Sequence, residues 1–201
     1  MNETENQESL LHRLVRGAFD YLELFVISIF AVLMIFTFGV RLCRVDGESM
    51  ENTLHHNEYL LLHNVAYQPK QDDIIVFHLP ETTSKQKTLV KRVIALEGQE
   101  VIINTRTNEI TVDGVLYEDS HSVLKNRLTD EITGKYDNLF YMNFDYSTGI
   151  YKATVPEGKV FVLGDNRNNS KDSRHPDIGF IDEQCILGKV VLRLSPFTIL
   201  A

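Results

Sequence analysis

Three segments of this chain set a reactive side chain among neighbours able to change its chemistry. The first is Gly47-Glu48-Ser49-Met50-Glu51-Asn52-Thr53-Leu54, a hydroxyl-bearing stretch. In the second, Leu89-Val90-Lys91-Arg92-Val93-Ile94-Ala95-Leu96, two cations interrupt an apolar run. Side chains alternate on a strand, so Leu89, Lys91, Val93 and Ala95 share one face and Val90, Arg92, Ile94 and Leu96 the other. One reading is an edge strand whose Lys91 and Arg92 reach out to solvent. The other is a lysine held against apolar neighbours. Burial disfavours the ammonium form and lowers its pKa, and a neutral lysine is a competent general base for a serine hydroxyl. The third segment runs from Val160 to Arg174 (VFVLGDNRNNSKDSR after a strand-like start) and crowds Asp, Asn, Arg and Ser into one loop. Solvation alone explains that composition. It does not explain why small hydroxyls alternate with ion-pair formers.

Other chemistries lack their residues. Seven histidines form no H-E-x-x-H, no H-x-H and no Cys/His cluster, so no metal site is expected. No G-x-x-x-x-G-K-[ST] or G-x-G-x-x-G is present for nucleotide phosphates, and no G-x-S-x-G elbow. A net charge of −8 argues against a nucleic-acid partner, which requires a basic surface. His55 and His56 read as turn residues, with a Ser49–His pairing as the alternative. Ser173 and His175 read as structural. Cys43 and Cys185 are far apart in the chain and are expected to be free thiols, Cys185 near the start of the last strand.

The elements that must position these residues are mostly strands. Residues 59–65, 74–78, 88–96, 100–104, 160–163 and 189–194 are short runs rich in Val, Ile and Leu. Asp113-Gly114 between 109–112 and 115–117 is a two-residue hairpin signal. No helical periodicity follows residue 45, so a mainly β fold is expected. Residues 118–155 are polar, with scattered aromatics (Tyr136, Phe140, Tyr141, Phe144, Tyr146, Tyr151), and read as a long irregular excursion. Ahead of all this, residues 24–40 (LFVISIFAVLMIFTFGV) carry no charge. The stretch is apolar all round, whereas a soluble helix of this length shows a polar face. The leader lacks a basic n-region and no small-x-small site follows, so a cleavable leader is disfavoured and an uncleaved single-pass anchor is expected. Ser28 and Thr37 can bond back to helix carbonyls. Arg13 and Arg16 flank one end and Arg41 and Arg44 the other, a tie under the positive-inside rule. The expected organisation is a tail at 1–20, a transmembrane anchor at 21–42 and a water-facing β-rich domain at 43–201.

Together the three segments resemble type I signal peptidase, the membrane-bound Ser/Lys endopeptidase of bacteria, from the anchor to about Pro196. Ser49-Met50-x-x-Thr53-Leu54 is similar to its nucleophile box. Lys91-Arg92-Val93-Ile94-x-Leu96-x-Gly98 is similar to its general-base box. Gly164-Asp165-Asn166-Arg167-x-Asn169-Ser170-x-Asp172-Ser173-Arg174 matches the last box at every defining position. Pro69 and Asp73-Ile74-Ile75-Val76-Phe77 fit a fourth. The short single anchor resembles the compact forms of Gram-positive bacteria.

The resemblance implies roles. Ser49 attacks the scissile carbonyl and Lys91 takes its proton. The Ser49 backbone N–H donates to the oxyanion, and Ser170 bonds the Lys91 amine. Asp172 pairs with Arg174, and Arg92 with Asp165, as supports. It implies signal peptides of exported preproteins and the lipid bilayer as partners, an Ala-x-Ala preference, no cofactor, and a catalytic domain on the extracytoplasmic face with the N-terminus in the cytoplasm. The chain departs from the family pattern at Asn52 (usually proline), Asp72 and Ala95 (glycine), Glu97 (proline) and Gln99 (aspartate). Gly47 stands where some members place a hydroxyl donor to the oxyanion. These departures leave open an idle relative that assists assembly of surface structures such as pili. A self-cleaving Ser/Lys regulator fits less well, because the chain has an anchor in place of a DNA-binding N-terminus.

Overall fold

The computed structural model describes residues 3–34, 39–79, 88–118, 120–122, 144–145, 147–195 and 197–200. It divides into two compact units, residues 1–41 and 42–201. The first contains helix α1, Glu3–Met34. Its apolar stretch, Arg13–Met34, is 22 residues long. At about 1.5 Å per residue it spans about 33 Å, enough for a hydrocarbon core. Leu24, Phe25, Ile27 and Phe30 lie exposed. With no water at hand in a bilayer a Ser hydroxyl must bond within its own helix, and Ser28 Oγ donates to the Leu24 carbonyl at 2.7 Å. The helix begins well ahead of residue 21. Residues 40–42, assigned from sequence to the end of the anchor, belong to strand β1, Val40–Arg44. Thr37 lies outside the described residues.

The second unit is built of strands, as the short β-branched runs predict. β2 is Tyr59–His63, β3 Ile74–His78, β4 Thr88–Ala95, β5 Glu100–Asn104, β6 Glu109–Val112 and β7 Val115–Leu116. β8 is Phe144–Asp145, β9 Ile150–Thr154, β10 Lys159–Leu163, β11 Ile181–Asp182, β12 Ile186–Leu194 and β13 Phe197–Ile199. One sheet runs β1-β2-β12-β3-β4-β10-β11 with β13 on β12; the other runs β7-β6-β5-β9-β8. Asp113 and Gly114 both take positive φ, 51° and 77°. This is the left-handed pair that a two-residue hairpin requires.

β3 is buried on both faces. Ile74 and Val76 enter one apolar cluster with Met50, Leu54, Leu60 and Leu62, and Ile75 and Phe77 enter another with Leu89, Val93, Val160 and Val162. The second sheet buries one face only. Val101, Ile103, Ile110, Val112, Tyr151 and Ala153 pack on Ile94, Phe161 and Leu163 of the first sheet.

The structure chooses between the two readings of residues 89–96 and corrects one expectation. β4 is not an edge strand: it lies between β3 and β10. Its two cations are therefore inside, with Lys91 1% and Arg92 4% exposed. The excursion at 118–155 ends in ordered sheet. β9 pairs with β5 over five residues, Glu100↔Thr154 to Asn104↔Ile150. Its sequence, IYKAT, was hard to recognise because only Tyr151 and Ala153 point into the core. Phe144 packs against the same cluster; Tyr136, Phe140, Tyr141 and Tyr146 lie outside the described residues. Cys43 and Cys185 are free thiols, and Cys185 ends a 3-10 turn just before β12, which β13 still follows.

Candidate active site

Ser49 sits in a turn after β1. Two side chains beyond it anchor that turn: Met50 and Leu54 are buried in the core, and the Leu54 N–H bonds back to the Met50 carbonyl at 2.8 Å. Lys91 sits in mid-sheet on β4. The fold brings the two together. Lys91 Nζ lies 2.7 Å from Ser49 Oγ across 42 residues of chain, and donates to the Val90 carbonyl at 2.9 Å. Burial, the dominant influence, pulls the Lys91 pKa down to about 8. The carboxylates of Asp172 and Asp165 oppose that shift, and the Arg174 charge assists it.

The loop after β10 is the clamp. The Asn166 N–H donates to the Ser49 carbonyl and Asn166 Nδ2 to the Glu48 carbonyl, each at 3.1 Å. Asp165 receives two bonds from Arg92, Nε at 2.9 Å and Nη2 at 2.7 Å, and one from Thr53 Oγ1 at 2.5 Å. Asp172 receives Arg174 Nε at 2.7 Å and Nη2 at 2.8 Å, and the Gly164 N–H at 3.0 Å. Burial would raise the Asp172 pKa, but the Arg174 charge and these bonds hold it below the usual carboxylate range. Both pairs are buried and satisfied by fork geometry, the condition under which an interior ion pair is tolerated.

One expected contact is absent. Ser170 Oγ is buried beside this centre and makes no hydrogen bond to Lys91; it lies near enough to Asp172 to help hold that carboxyl's pKa down. It lies against Gly164, where an added Cβ would come within 2.1 Å of Ser170 Oγ and 2.5 Å of the Ser49 carbonyl oxygen. A side chain at 164 is thus sterically forbidden. Gly164, Thr53 and Asn166 are three residues of the site to which sequence reading gave no role. The Gly-Asp-Asn run carried a signal for two of them. His56 turns to Gly47: its Nδ1 accepts the Gly47 N–H at 3.1 Å and lies 3.5 Å from Asp46 Oδ1, so it is not Ser49's partner. Ser173 Oγ accepts the Val162 N–H at 2.9 Å, a structural bond.

A cleft of about 1110 Å³ opens over the pair, walled by residues 42–50, His56, residues 88–91 and residues 169–171. Among the described residues β1 pairs only with β2. β10 meets β4 only at Arg92, Val93 and Ala95. The cleft-facing edges of β1 and of the start of β4 therefore hold unpaired backbone groups. No group of three or more His, Cys, Asp or Glu side chains among the described residues could hold a metal.

Comparison with known proteins gives one answer. The family model described as "Signal peptidase, peptidase S26" matches residues 18–195. "Probable signal peptidase I-1" of Synechocystis is 31% identical over 185 residues, 88% of this chain and 82% of the relative. "Signal peptidase IB" of Staphylococcus aureus is 30% identical over 197 residues, 96% of this chain and 93% of the relative. A crystal structure of a signal peptidase I from Enterococcus faecalis, 27% identical, covers 61% of this chain and 97% of its own with a TM-score of 0.38. With a match running from the apolar helix through the loop that clamps Ser49, the chain belongs to the signal peptidase family, peptidase S26.

Proposed function

We propose that the chain is a signal peptidase I, a single-pass membrane serine endopeptidase that removes N-terminal signal peptides from exported preproteins with Ser49 and Lys91. The observation that carries this reading is the 2.7 Å approach of Lys91 Nζ to Ser49 Oγ inside the sheet. A neutral amine has two protons and one lone pair. One proton goes to the Val90 carbonyl, and the lone pair is then free to face the Ser49 hydroxyl. Ser49 Oγ attacks the scissile carbonyl as its proton passes to Lys91 Nζ. The ammonium returns that proton to the leaving amine, which departs as the mature N-terminus. Lys91, neutral again, takes a proton from a water as its oxygen attacks the Ser49 ester, and the ammonium returns that proton to the departing Ser49 Oγ, restoring the free enzyme. The Ser49 N–H, which has no partner among the described residues, donates to the oxyanion. The sequence of steps calls for no metal or cofactor. Asp172–Arg174 and Arg92–Asp165 hold the site and do not react.

The unpaired edges of β1 and β4 suit an extended peptide adding as a strand, with backbone bonds for affinity and shallow pockets selecting small side chains. The apolar span Arg13–Met34 would hold the chain in the bilayer, N-terminus in the cytoplasm and catalytic domain outside. The test is cleavage of a preprotein in detergent by the wild type, Ser49→Ala and Lys91→Ala. Turnover by the wild type, lost by at least about 10³-fold in both variants with the fold kept, supports the reading. An inactive wild type supports the assembly factor instead.

A further inference from the structure

Ser49 and Lys91 ride on different parts of the fold. One is in a surface turn, the other in mid-sheet, and only a stiff link between them can keep a 2.7 Å approach. The structure supplies two: Asn166 bonds the Glu48 and Ser49 carbonyls at one end of the turn, and Thr53 ties down the other. Thr53, four residues beyond Ser49, bonds in two directions. Its Oγ1 donates to Asp165 Oδ2 at 2.5 Å. Asp165 in turn is forked onto Arg92, the strand neighbour of Lys91, at 2.9 and 2.7 Å. The Thr53 carbonyl accepts from Arg193 Nη1 of β12 at 3.0 Å. Arg193 Nη1 also lies 3.4 Å from Glu58 Oε1, and Glu58 Oε2 accepts the His55 N–H at 3.0 Å. The end of the Ser49 turn is thus fixed to the base's strand on one side and to β12 on the other.

We propose that Thr53 is a positioning residue for the signal peptidase reaction, its hydroxyl pinning the nucleophile turn to the Asp165–Arg92 pair beside Lys91. This rests on the Ser49/Lys91 reading above. Of the turn's other anchors, Met50 and Leu54 are apolar contacts that resist removal from the core and do little to resist sliding, and the two Asn166 bonds act at the Glu48–Ser49 end. A hydrogen bond to a fully buried carboxylate resists both, being charge-assisted and directional. The hydroxyl has a second effect. By donating to Asp165 it absorbs part of a negative charge that stabilises the Lys91 ammonium, and so helps keep the amine neutral.

The test uses full-length protein in detergent and a preprotein substrate, with Thr53→Val, Thr53→Ser and Thr53→Ala. Thr53→Val keeps the shape and removes the hydroxyl. It is expected to lower kcat about 10–100-fold with KM within about twofold. Its kcat/KM profile should rise at higher pH than the wild type's, and Thr53→Ser should restore both kcat and profile to within about threefold of the wild type. Thr53→Ala separates the hydroxyl from the methyl: it should match Thr53→Val in kcat and profile although it leaves a cavity. Thermal melts of the same samples show whether each variant is folded. If Thr53→Val cuts at the wild-type rate with the wild-type profile, the proposal is overturned. It is equally overturned if Thr53→Ser is as impaired as Thr53→Val, or if the loss in Thr53→Ala tracks a lowered melting temperature with an unmoved profile. Failure of the wild type itself to cut would strike the functional reading, a distinct outcome.

Discussion

Lys91 shows how a side chain acquires chemistry from its surroundings. Its burial lowers its pKa to about 8, and the proposed reaction uses the neutral form. The rate of cleavage should therefore rise with pH and level off above about 8; a kcat/KM profile flat from pH 6 to 10 would contradict the base role. The same burial affects stability. The folded amine binds its proton less readily than the unfolded amine, whose pKa is the ordinary 10.5. Below about pH 8 the native state bears the full cost of a charged, buried group, and the cost fades as pH rises from 8 to 10.5. Lys91→Met should thus be inactive yet more stable than the wild type at pH 7, by about 1–3 kcal/mol, with the gap narrowing toward pH 10.5. Denaturant melts at the two pH values measure it. Equal gaps at both would mean that the amine is not desolvated in the folded chain.

The decisive element is the loop after β10. It reaches back to the Ser49 turn with two bonds from Asn166, holds two buried ion pairs, and passes close enough to Ser49 that residue 164 must lack a side chain. Gly164→Ala would drive its Cβ into the Ser49 carbonyl and Ser170 Oγ, at 2.5 and 2.1 Å. Because the first of these is backbone, relief requires moving the nucleophile turn itself. Cleavage should fall at least about 10²-fold, with folding retained. A fully active Gly164→Ala enzyme would show that the loop and the turn are not packed this closely. Asp172→Asn should unfold rather than inactivate. It strands the Arg174 guanidinium, 1% exposed in its side chain, and a broken interior pair costs about 3–5 kcal/mol. Melting temperature, not kcat, is the readout.

At the scale of the molecule, α1 and the β-rich unit have opposite surface logic. α1 exposes Leu24, Phe25, Ile27 and Phe30 in one continuous helix, while the β unit encloses three apolar clusters between and around two sheets and exposes such residues only here and there, Val115 and Phe197 among them. A helix that exposes such a surface calls for lipid. The chain should sediment with membranes and resist alkaline extraction. Protease added to spheroplasts should degrade the β unit and leave a fragment of about the helix's size. Protection of the β unit would reverse the proposed orientation.

The sequence alone determined the apolar helix and the central strands, β2 to β7, β10 and much of β12. Short runs rich in Val and Ile define β3, β5 and β6 to the residue because strand propensity is local. The turn at Asp113-Gly114 is likewise local, and the uncharged run near the N-terminus announces a helix without a polar face. Lys91 stands out as a cation amid apolar neighbours, which is unusual on any fold, whereas Ser49 takes its role from the resemblance of its Ser-Met segment to the family's nucleophile box. Only the tertiary structure decided that β4 is internal, and with it that Lys91 is buried. Edge or centre depends on which strand arrives from elsewhere, here β10, some 70 positions later in the chain. β9 was illegible for a related reason: IYKAT is ordinary until β5 supplies a partner. Ser170's missing bond to Lys91, Gly164's forbidden side chain and Thr53's double attachment are likewise properties of distances between segments, which no local pattern encodes.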